Sequence, residues 1–271
     1  MAQQWINPTE NSFNRLLLLE RFQIQLMLEV GGWYKDKSIW KECLAVALQA
    51  NPAVSWYLKN RCPECAAMID EILQSTPPLS NPDTIRQAEC IVLAGIEDFV
   101  IYSTPEQMVI NCDFIKGWCK EHLYDLVELT GKIVLDVGAG AGRLTFAAAE
   151  KAAWVYASEP VGTLREYMRD IIAQESISNV RVVDGLVTAL PYANDHFDVV
   201  MSGHVLGCHW VEELRELSRV CKPCGWLIDC PGDSQIDIPP KKELLAGGWQ
   251  EFHYVGSYGK SVYTYRKQVS K

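Results

Sequence analysis

Residues 133–145 read IVLDVGAGAGRLT, and this stretch indicates the fold more directly than any other part of the chain. The apolar run at its start is short and rich in β-branched side chains, which is typical of a buried parallel strand. Gly138, Gly140 and Gly142 follow at every second position, and glycine lets the backbone turn tightly and approach a ligand closely. The stretch therefore predicts a strand, a glycine turn and a helix from Arg143, which together form a nucleotide-like pocket.

The spacing of the glycines and a nearby acid indicate which nucleotide this pocket binds. A turn that binds a pyrophosphate usually reads G-x-G-x-x-G, whereas this turn reads G-x-G-x-G. Asp136 lies two residues before the first glycine, and its negative charge would repel a pyrophosphate. The same charge would attract a ligand that carries an ammonium group and a sulfonium. S-adenosylmethionine is such a ligand.

Four further segments resemble, in order, the later strand motifs of the class I S-adenosylmethionine-dependent methyltransferases. They are residues 153–159 (AWVYASE), 180–191 (VRVVDGLVTALP), 197–204 (FDVVMSGH) and 219–228 (RVCKPCGWLI). The resemblance runs from about Gly131 to the C-terminus. Within the family, the chain is most similar to the small-molecule branch (methyltransferase type 11) that is related to the quinone-biosynthesis C-methyltransferases.

The resemblance implies an α/β fold with a Rossmann-like seven-stranded methyltransferase sheet and a C-terminal antiparallel hairpin. Residues 249–255 and 261–268 alternate like the two strands of that hairpin. Before the sheet, apolar positions recur at helical spacing, with one long helix predicted from Asp83 to Phe99 and another over residues 112–129. We therefore expect an N-terminal α-helical cap that forms a substrate-binding region over residues 1–130. A methyltransferase domain that binds S-adenosylmethionine then covers residues 131–271.

The resemblance also implies roles for individual residues. The acid that ends the second strand, Glu159, corresponds to the acid that accepts hydrogen bonds from both ribose hydroxyls in the family. Asp184 corresponds to the residue that meets the adenine amino group. The full predicted cofactor set is Asp136, Gly138, Gly140, Gly142, Glu159, Asp184, Gly185 and Ser202.

Catalytic and substrate-binding residues are predicted around the end of the fourth strand and in the aromatic-rich cap. His204 stands beside the expected position of the transferable methyl group, and its usual pKa suits a general base. A histidine that only lines the pocket wall is the alternative. His209, Tyr102 and Trp118 are the predicted substrate contacts. Aromatic faces suit an apolar or cationic small molecule, and Tyr102 and Trp118 are chosen because they lie near the entry to the catalytic sheet. Rings that only fill the helical core or a dimer surface are the alternative.

Ten cysteines in a chain with no secretory leader pattern read as free thiols, so no metal site is predicted. The pairs Cys62/Cys65 and Cys221/Cys224 have the C-x-x-C spacing, but they lie much farther apart than the two halves of a usual zinc site. Cys221 is also explained as a small apolar residue of the core.

Composition narrows the class of partner. The net charge is −9, which offers no electrostatic footprint for nucleic acid, and no apolar run is long enough for a membrane span. We therefore expect a cytoplasmic enzyme, either monomer or homodimer, with a small-molecule substrate. The charged residues of the helical segment from His209 to Cys221 are predicted to face solvent.

The sequence leaves other functions open. A protein or thiol methyltransferase is one alternative, with the acidic N-terminal region as its docking surface. A catalytically silent module that binds S-adenosylmethionine is another, because intact cofactor residues do not separate it from an enzyme. A nicotinamide oxidoreductase is less consistent with the glycine spacing and the terminal hairpin.

Overall fold

The computed structural model describes residues 5–271 and divides the chain into two compact units. The first ends at Thr104 and the second covers Pro105–Lys271. Residues 105–130, which the sequence analysis grouped with the helical cap, belong to the second unit. The role of residues 1–130 as a substrate-binding cap stays a prediction.

The first unit is helical. Two short 3-10 helices, Pro8–Glu10 and Phe13–Leu18, precede its first α-helix, and a third, Pro63–Cys65, leads into α4. Its α-helices are α1 Arg21–Val30, α2 Lys37–Ala50, α3 Pro52–Arg61, α4 Ala66–Gln74, α5 Pro82–Gly95 and α6 Glu97–Tyr102. Their apolar faces share one core, which includes Leu16, Trp40, Leu44, Leu58 and Leu93. Tyr102 is half-buried and packs against this core.

Side chains and backbone contacts decide where these helices begin and end. Asp36 caps α2 by accepting the N–H groups of Ser38 and Ile39. The long helix predicted over Asp83–Phe99 is instead two helices, with a break at Ile96. The reason is that the carbonyl of Gly95 accepts the N–H of Trp33 at 2.6 Å, so that carbonyl is committed outside the helix.

Trp40 is the largest fully buried side chain of the first unit, and it requires a glycine on the facing helix. Its indole Nε1 donates to the carbonyl of Val92 at 3.2 Å. A Cβ built on Gly95 would lie 2.3 Å from that Nε1 and 2.5 Å from Cδ1. The close packing of α2 on α5 therefore depends on the absence of a side chain at Gly95.

The second unit is built on one seven-stranded sheet in the order β3-β2-β1-β4-β5-β7-β6. Strands β1 to β5 are parallel, and β7 lies antiparallel between β5 and β6. The strands are β1 Ile133–Val137, β2 Trp154–Ser158, β3 Val180–Val183, β4 Phe197–Ser202, β5 Cys221–Asp229, β6 Gln250–Val255 and β7 Ser261–Gln268. The predicted α/β sheet with a C-terminal antiparallel hairpin is confirmed.

Helices and turns cover both faces of this sheet, and a separate apolar core lies on each face. The helices are α7 Pro105–Asn111, α8 Glu121–Tyr124, α9 Arg143–Ala149, α10 Gly162–Gln174, α11 Trp210–Val220 and α12 Lys242–Ala246. Cys221 is fully buried in one of the two cores, which fits its predicted apolar role. Within residues 5–271, no helix is both long and apolar enough to cross a membrane.

The prediction of one helix over residues 112–129 is wrong, because only α8 forms there and the rest consists of turns and irregular chain. Gly117 adopts a left-handed conformation with φ of +82°, which interrupts a right-handed helix. Asp113 is buried and accepts the N–H of Gln235 at 2.8 Å, across 122 residues of sequence. Contacts with distant parts of the chain thus determine the path of this segment.

Replacing Gly95 with alanine should destabilise the first unit. The added methyl group would clash with the fully buried ring of Trp40, and such overpacking costs about 1–3 kcal/mol. Chemical denaturation followed by tryptophan fluorescence measures the change. The control is Ala94→Leu, which adds more volume on the exposed side of the same helix and should change the stability little. Equal stabilities of Gly95→Ala and the parent protein would contradict this account of the packing.

Candidate active site at the carboxyl edge of the sheet

The parallel strands bring their carboxyl ends to one edge, where the predicted site residues meet. Val137 of β1 is paired with Ser158 of β2 on one side and with Ser202 of β4 on the other. Ser158 is paired in turn with Val183 at the end of β3. Asp184, Glu159 and Gly138 therefore follow three adjacent strands at the same level, which is where open α/β sheets bind their ligands.

The glycine turn after β1 adopts the conformation that its sequence predicts. Gly138, Gly140 and Gly142 have φ values of +64°, +57° and +91°, in the region where a side chain is strained. The N–H of Gly138 donates to the carbonyl of Ser158 at 2.8 Å, which ties the turn to β2. Helix α9 then begins at Arg143.

Glu159 joins two elements of the site through its carboxylate. One oxygen accepts the N–H of Gly140 at 2.8 Å, and the other accepts the N–H of Val161 at 2.8 Å. The residue is 4% exposed. Burial raises its pKa to about 7, and the two N–H groups oppose that rise. The carboxylate is thus poised between its charged and neutral forms near neutral pH.

Asp136 supplies a second buried acid under the turn. It is 1% exposed, and its carboxylate accepts the hydroxyl of Thr145 in α9 at 2.7 Å. Burial raises its pKa to about 6, and the hydrogen bond from Thr145 and the charge of Arg143 partly offset the effect. Asp136 and Glu159 together give this part of the site an acidic character.

The β3 end of the site is open. The side chain of Asp184 is 70% exposed, with one oxygen 3.4 Å from the guanidinium of Arg165. Gly185 lies against Ser158, because a Cβ at Gly185 would be 2.4 Å from the Ser158 hydroxyl. The structure thus places Asp184 within reach of a ligand from solvent and gives Gly185 a packing role. Their predicted contacts with a cofactor stay predictions.

Ser202 belongs to a buried polar chain at the end of β4. Its hydroxyl lies 3.3 Å from a carboxylate oxygen of Asp229, the last residue of β5. The other oxygen of Asp229 accepts the ammonium of Lys241 at 2.7 Å. The sequence analysis did not identify Asp229 or Lys241. Asp229 could have been found from the sequence, because it is an acid at the end of an apolar strand, in the same kind of position as Glu159.

His204 follows β4 and lines a cavity of about 200 Å³. Its backbone is left-handed, with φ of +61°, and its ring lies 4.4 Å from that of Phe114. The surrounding protein removes much of the water around the imidazole ring, and this desolvation lowers the pKa of His204 well below its usual value. The positive charges of Arg143 and Lys241 lower it further, although part of the residue stays exposed. A hydrogen bond to the carbonyl of Pro231 opposes that change. His204 is therefore neutral at physiological pH.

The loop after His204 is held by Glu213 of α11. The Glu213 carboxylate accepts the N–H groups of Gly207, Cys208 and His209 at 2.8–3.2 Å, and the residue is 1% exposed. The prediction that all the charged residues of this helix face solvent is wrong for Glu213. His209 itself is exposed at the start of α11.

The two predicted aromatic contacts lie in different units. Trp118 is half-buried in the second unit, where the guanidinium of Arg143 lies 4.4 Å from the centre of its ring. Tyr102 packs in the helical core of the first unit. Both assignments as substrate contacts stay predictions.

The cysteines of the two C-x-x-C pairs are free thiols. The sulfurs of Cys62 and Cys65 lie 3.1 Å apart in the helical core, and burial raises the pKa of Cys62 to about 12. Cys224 is exposed, whereas Cys221 is buried. In residues 5–271, no group of three or more histidine, cysteine or acidic side chains is arranged to hold a metal ion.

Comparison with known proteins shows which proteins the second unit is similar to. Residues 134–225 match the family model described as a methyltransferase domain. A demethylmenaquinone methyltransferase of Shouchella clausii is 30% identical over 141 residues, which are 50% of this chain and 60% of that protein. An uncharacterized methyltransferase of Anoxybacillus flavithermus is 35% identical over 94 residues, or 35% of this chain and 42% of that protein. The chain thus spans no more than about 60% of the length of these relatives.

A solved structure has the same fold. The crystal structure of a SAM-dependent methyltransferase from Aquifex aeolicus aligns with a TM-score of 0.50 and 19% identity, over 62% of this chain and 98% of that one. The predicted resemblance to the class I methyltransferases, with quinone methyltransferases among the similar sequences, is confirmed. Residues 134–225 of the second unit thus match a methyltransferase domain, and the unit has the Rossmann-like fold.

Proposed function

We propose that this protein is an S-adenosylmethionine-dependent methyltransferase that acts on a small-molecule acceptor. The observation that carries the proposal is the contact between the buried carboxylate of Glu159 and the N–H of Gly140. This contact joins the glycine turn to the acid after β2, within the segment that matches the methyltransferase domain. The other proposed cofactor residues lie along the same edge of the sheet.

The residues at this edge fit the cofactor. Each carboxylate oxygen of Glu159 accepts one backbone N–H, and a carboxylate oxygen has a further lone pair that can accept a ribose hydroxyl. Asp136 and Glu159 are both buried acids, so the site favours a ligand with a positive charge. The left-handed glycines allow close approach to the backbone. Asp184 is exposed where an adenine amino group would reach it.

When bound, S-adenosylmethionine supplies an electrophilic methyl group on a sulfonium, and neutral S-adenosylhomocysteine is the product. The protein's contribution is to hold the two reacting atoms close and aligned. The charge of Asp136 stabilises a cationic ligand, whereas Glu159 orients its ribose. The loop held by Glu213 places His204 beside the cavity that would receive the acceptor.

His204 is in the neutral form that a general base requires, but its low pKa makes it a weak base. Its lowered pKa keeps the ring neutral, and one ring nitrogen faces the Pro231 carbonyl, which leaves the other nitrogen as an acceptor. A base with so low a pKa removes a proton efficiently only from an acidic acceptor. We propose that His204 orients the acceptor and accepts its proton where the acceptor binds protonated.

The ten free thiols fit a reducing compartment, which supports the proposal that the protein works in the cytoplasm. The cavity beside His204 has a volume of about 200 Å³, which is enough for a small molecule. This size favours the small-molecule reaction over methylation of a protein. Slow conversion of bound S-adenosylmethionine to S-adenosylhomocysteine would separate the enzyme from a silent module.

Isothermal titration calorimetry with the purified full chain tests cofactor binding. We expect S-adenosylmethionine and S-adenosylhomocysteine to bind, and NADH not to bind. Asp136→Asn should weaken binding of S-adenosylmethionine by at least about tenfold and weaken binding of S-adenosylhomocysteine less, because the product has lost the sulfonium charge. Glu166→Gln is the matched control, since Glu166 is an exposed acid in α10. Tight binding of NADH without binding of either S-adenosyl compound would contradict the proposal.

Substitution of His204 tests its role in turnover. With an accepted substrate, His204→Ala should lower kcat by about tenfold or more while cofactor affinity is unchanged. His204→Gln should restore part of the loss if orientation by a hydrogen bond is the main contribution. Steady-state kinetics and calorimetry on the same preparations give both quantities. An unchanged kcat in both variants would remove His204 from the mechanism.

A further inference from the structure

The cavity beside His204 has the size of a single aromatic ring with a small polar substituent. Its volume is about 200 Å³, whereas a cavity of about 150 Å³ engineered in another protein binds benzene. Apolar side chains form much of its wall, among them Leu206, Ile238, Val262 and Tyr263.

Lys241 provides positive charge at one end of this cavity. Its ammonium donates to the fully buried Asp229 at 2.7 Å, and its side chain remains 21% exposed. An ammonium has three donors, so two remain for a ligand. The backbone N–H of Lys241 donates to the Tyr265 hydroxyl at 2.8 Å, which fixes the residue against β7.

Arg143 carries a second positive charge behind the cavity wall, close enough to the buried Asp136 to oppose the rise of that acid's pKa. Its guanidinium donates to the carbonyls of Cys230 and Pro231. Its Nη1 atom is buried and has no hydrogen-bond partner within the described residues. This Nη1 atom lies beside Gly232, which lines the cavity. A Cβ built on Gly232 would be 3.1 Å from Nη1.

The nearby acid of the same loop, Asp233, does not line the cavity. Asp233 stands between two lining residues, yet its carboxylate is turned to Tyr254 and Ser257, whose hydroxyls lie at 3.1 Å and 2.6 Å. Asp229 pairs with one of the two cations. The cavity therefore combines a histidine, a lysine ammonium with donors left for a ligand, and apolar walls.

We infer that this cavity binds a single-ring aromatic compound carrying an anionic oxygen, of the benzoate class, with that oxygen at the Lys241 ammonium. The inference rests on the proposed function, for which this compound is the methyl acceptor. An acceptor that arrives as an anion needs no strong base, which agrees with the neutral state of His204. The Lys241 ammonium would also disfavour a positively charged acceptor such as an amine at its side.

Calorimetric titration of the full chain with benzoate, in the absence of cofactor, tests this inference. We expect saturable binding of benzoate that is at least about tenfold tighter than that of benzamide, its uncharged analogue of the same shape. Benzylamine should not bind. Equal affinities for benzoate and benzamide, or no saturable binding of benzoate, would overturn the inference.

Two variants locate the binding. Lys241→Met combined with Asp229→Asn removes the cation without leaving a buried acid unpaired, and it should weaken benzoate by at least about tenfold. Lys242→Met is the matched control, because Lys242 is the adjacent, exposed lysine and should bind benzoate as the parent does. Ile238→Trp keeps every charge but fills the cavity, so it should abolish binding. Unchanged binding in either the double variant or Ile238→Trp would place benzoate elsewhere and overturn the inference.

The same preparations separate this inference from the proposed function. If S-adenosylmethionine binds and benzoate does not, the acceptor class is wrong and the methyltransferase proposal stands. If benzoate binds as expected and neither S-adenosylmethionine nor S-adenosylhomocysteine does, the cavity is a binding site and the methyltransferase proposal fails.

Discussion

The hydrogen bond from Gly140 to the carboxylate of Glu159 is the interaction on which the proposed site depends. Gly140 belongs to the turn after β1, and Glu159 follows β2, so one contact sets the distance between the two halves of the cofactor site. The same carboxylate accepts the N–H of Val161 at the start of α10. Burying an acid is unfavourable unless hydrogen bonds satisfy it, and the two backbone donors meet that requirement. The glycine turn supplies one of them only because it is left-handed.

The sequence predicted the strand, the glycine turn and the acid after the next strand because the signals for them are local. A β-branched strand, glycines at every second position and an acid after the next strand are all read within about 30 residues. Burial of Asp136 and Glu159 follows from their places at the ends of strands inside the sheet. The hairpin could also be predicted from the sequence, since β6 and β7 alternate in polarity and are joined by a short turn.

What the sequence did not predict depends on contacts between distant residues. Glu213 looked like a member of a charged helix face, yet it is buried because three loop N–H groups need an acceptor. The segment 112–129 is not one helix, because Gly117 is left-handed and Asp113 binds Gln235. Asp229 and Lys241 meet only when β5 and the loop after it have folded. The residues around the proposed acceptor cavity are therefore harder to predict from the sequence than those of the proposed cofactor site.

The ionisation of Glu159 tests the central claim most directly. Its pKa of about 7 in the free protein should fall when ribose hydroxyls and a cationic ligand stabilise the carboxylate, so binding should release protons and tighten as pH rises through 7. Calorimetry of S-adenosylmethionine binding near pH 7, in buffers with different ionisation enthalpies, measures this release. We predict net proton release that Glu159→Gln reduces to the smaller part contributed by Asp136 and that Glu166→Gln preserves. Binding without any proton release, or release that is undiminished in Glu159→Gln, would contradict the assignment of Glu159.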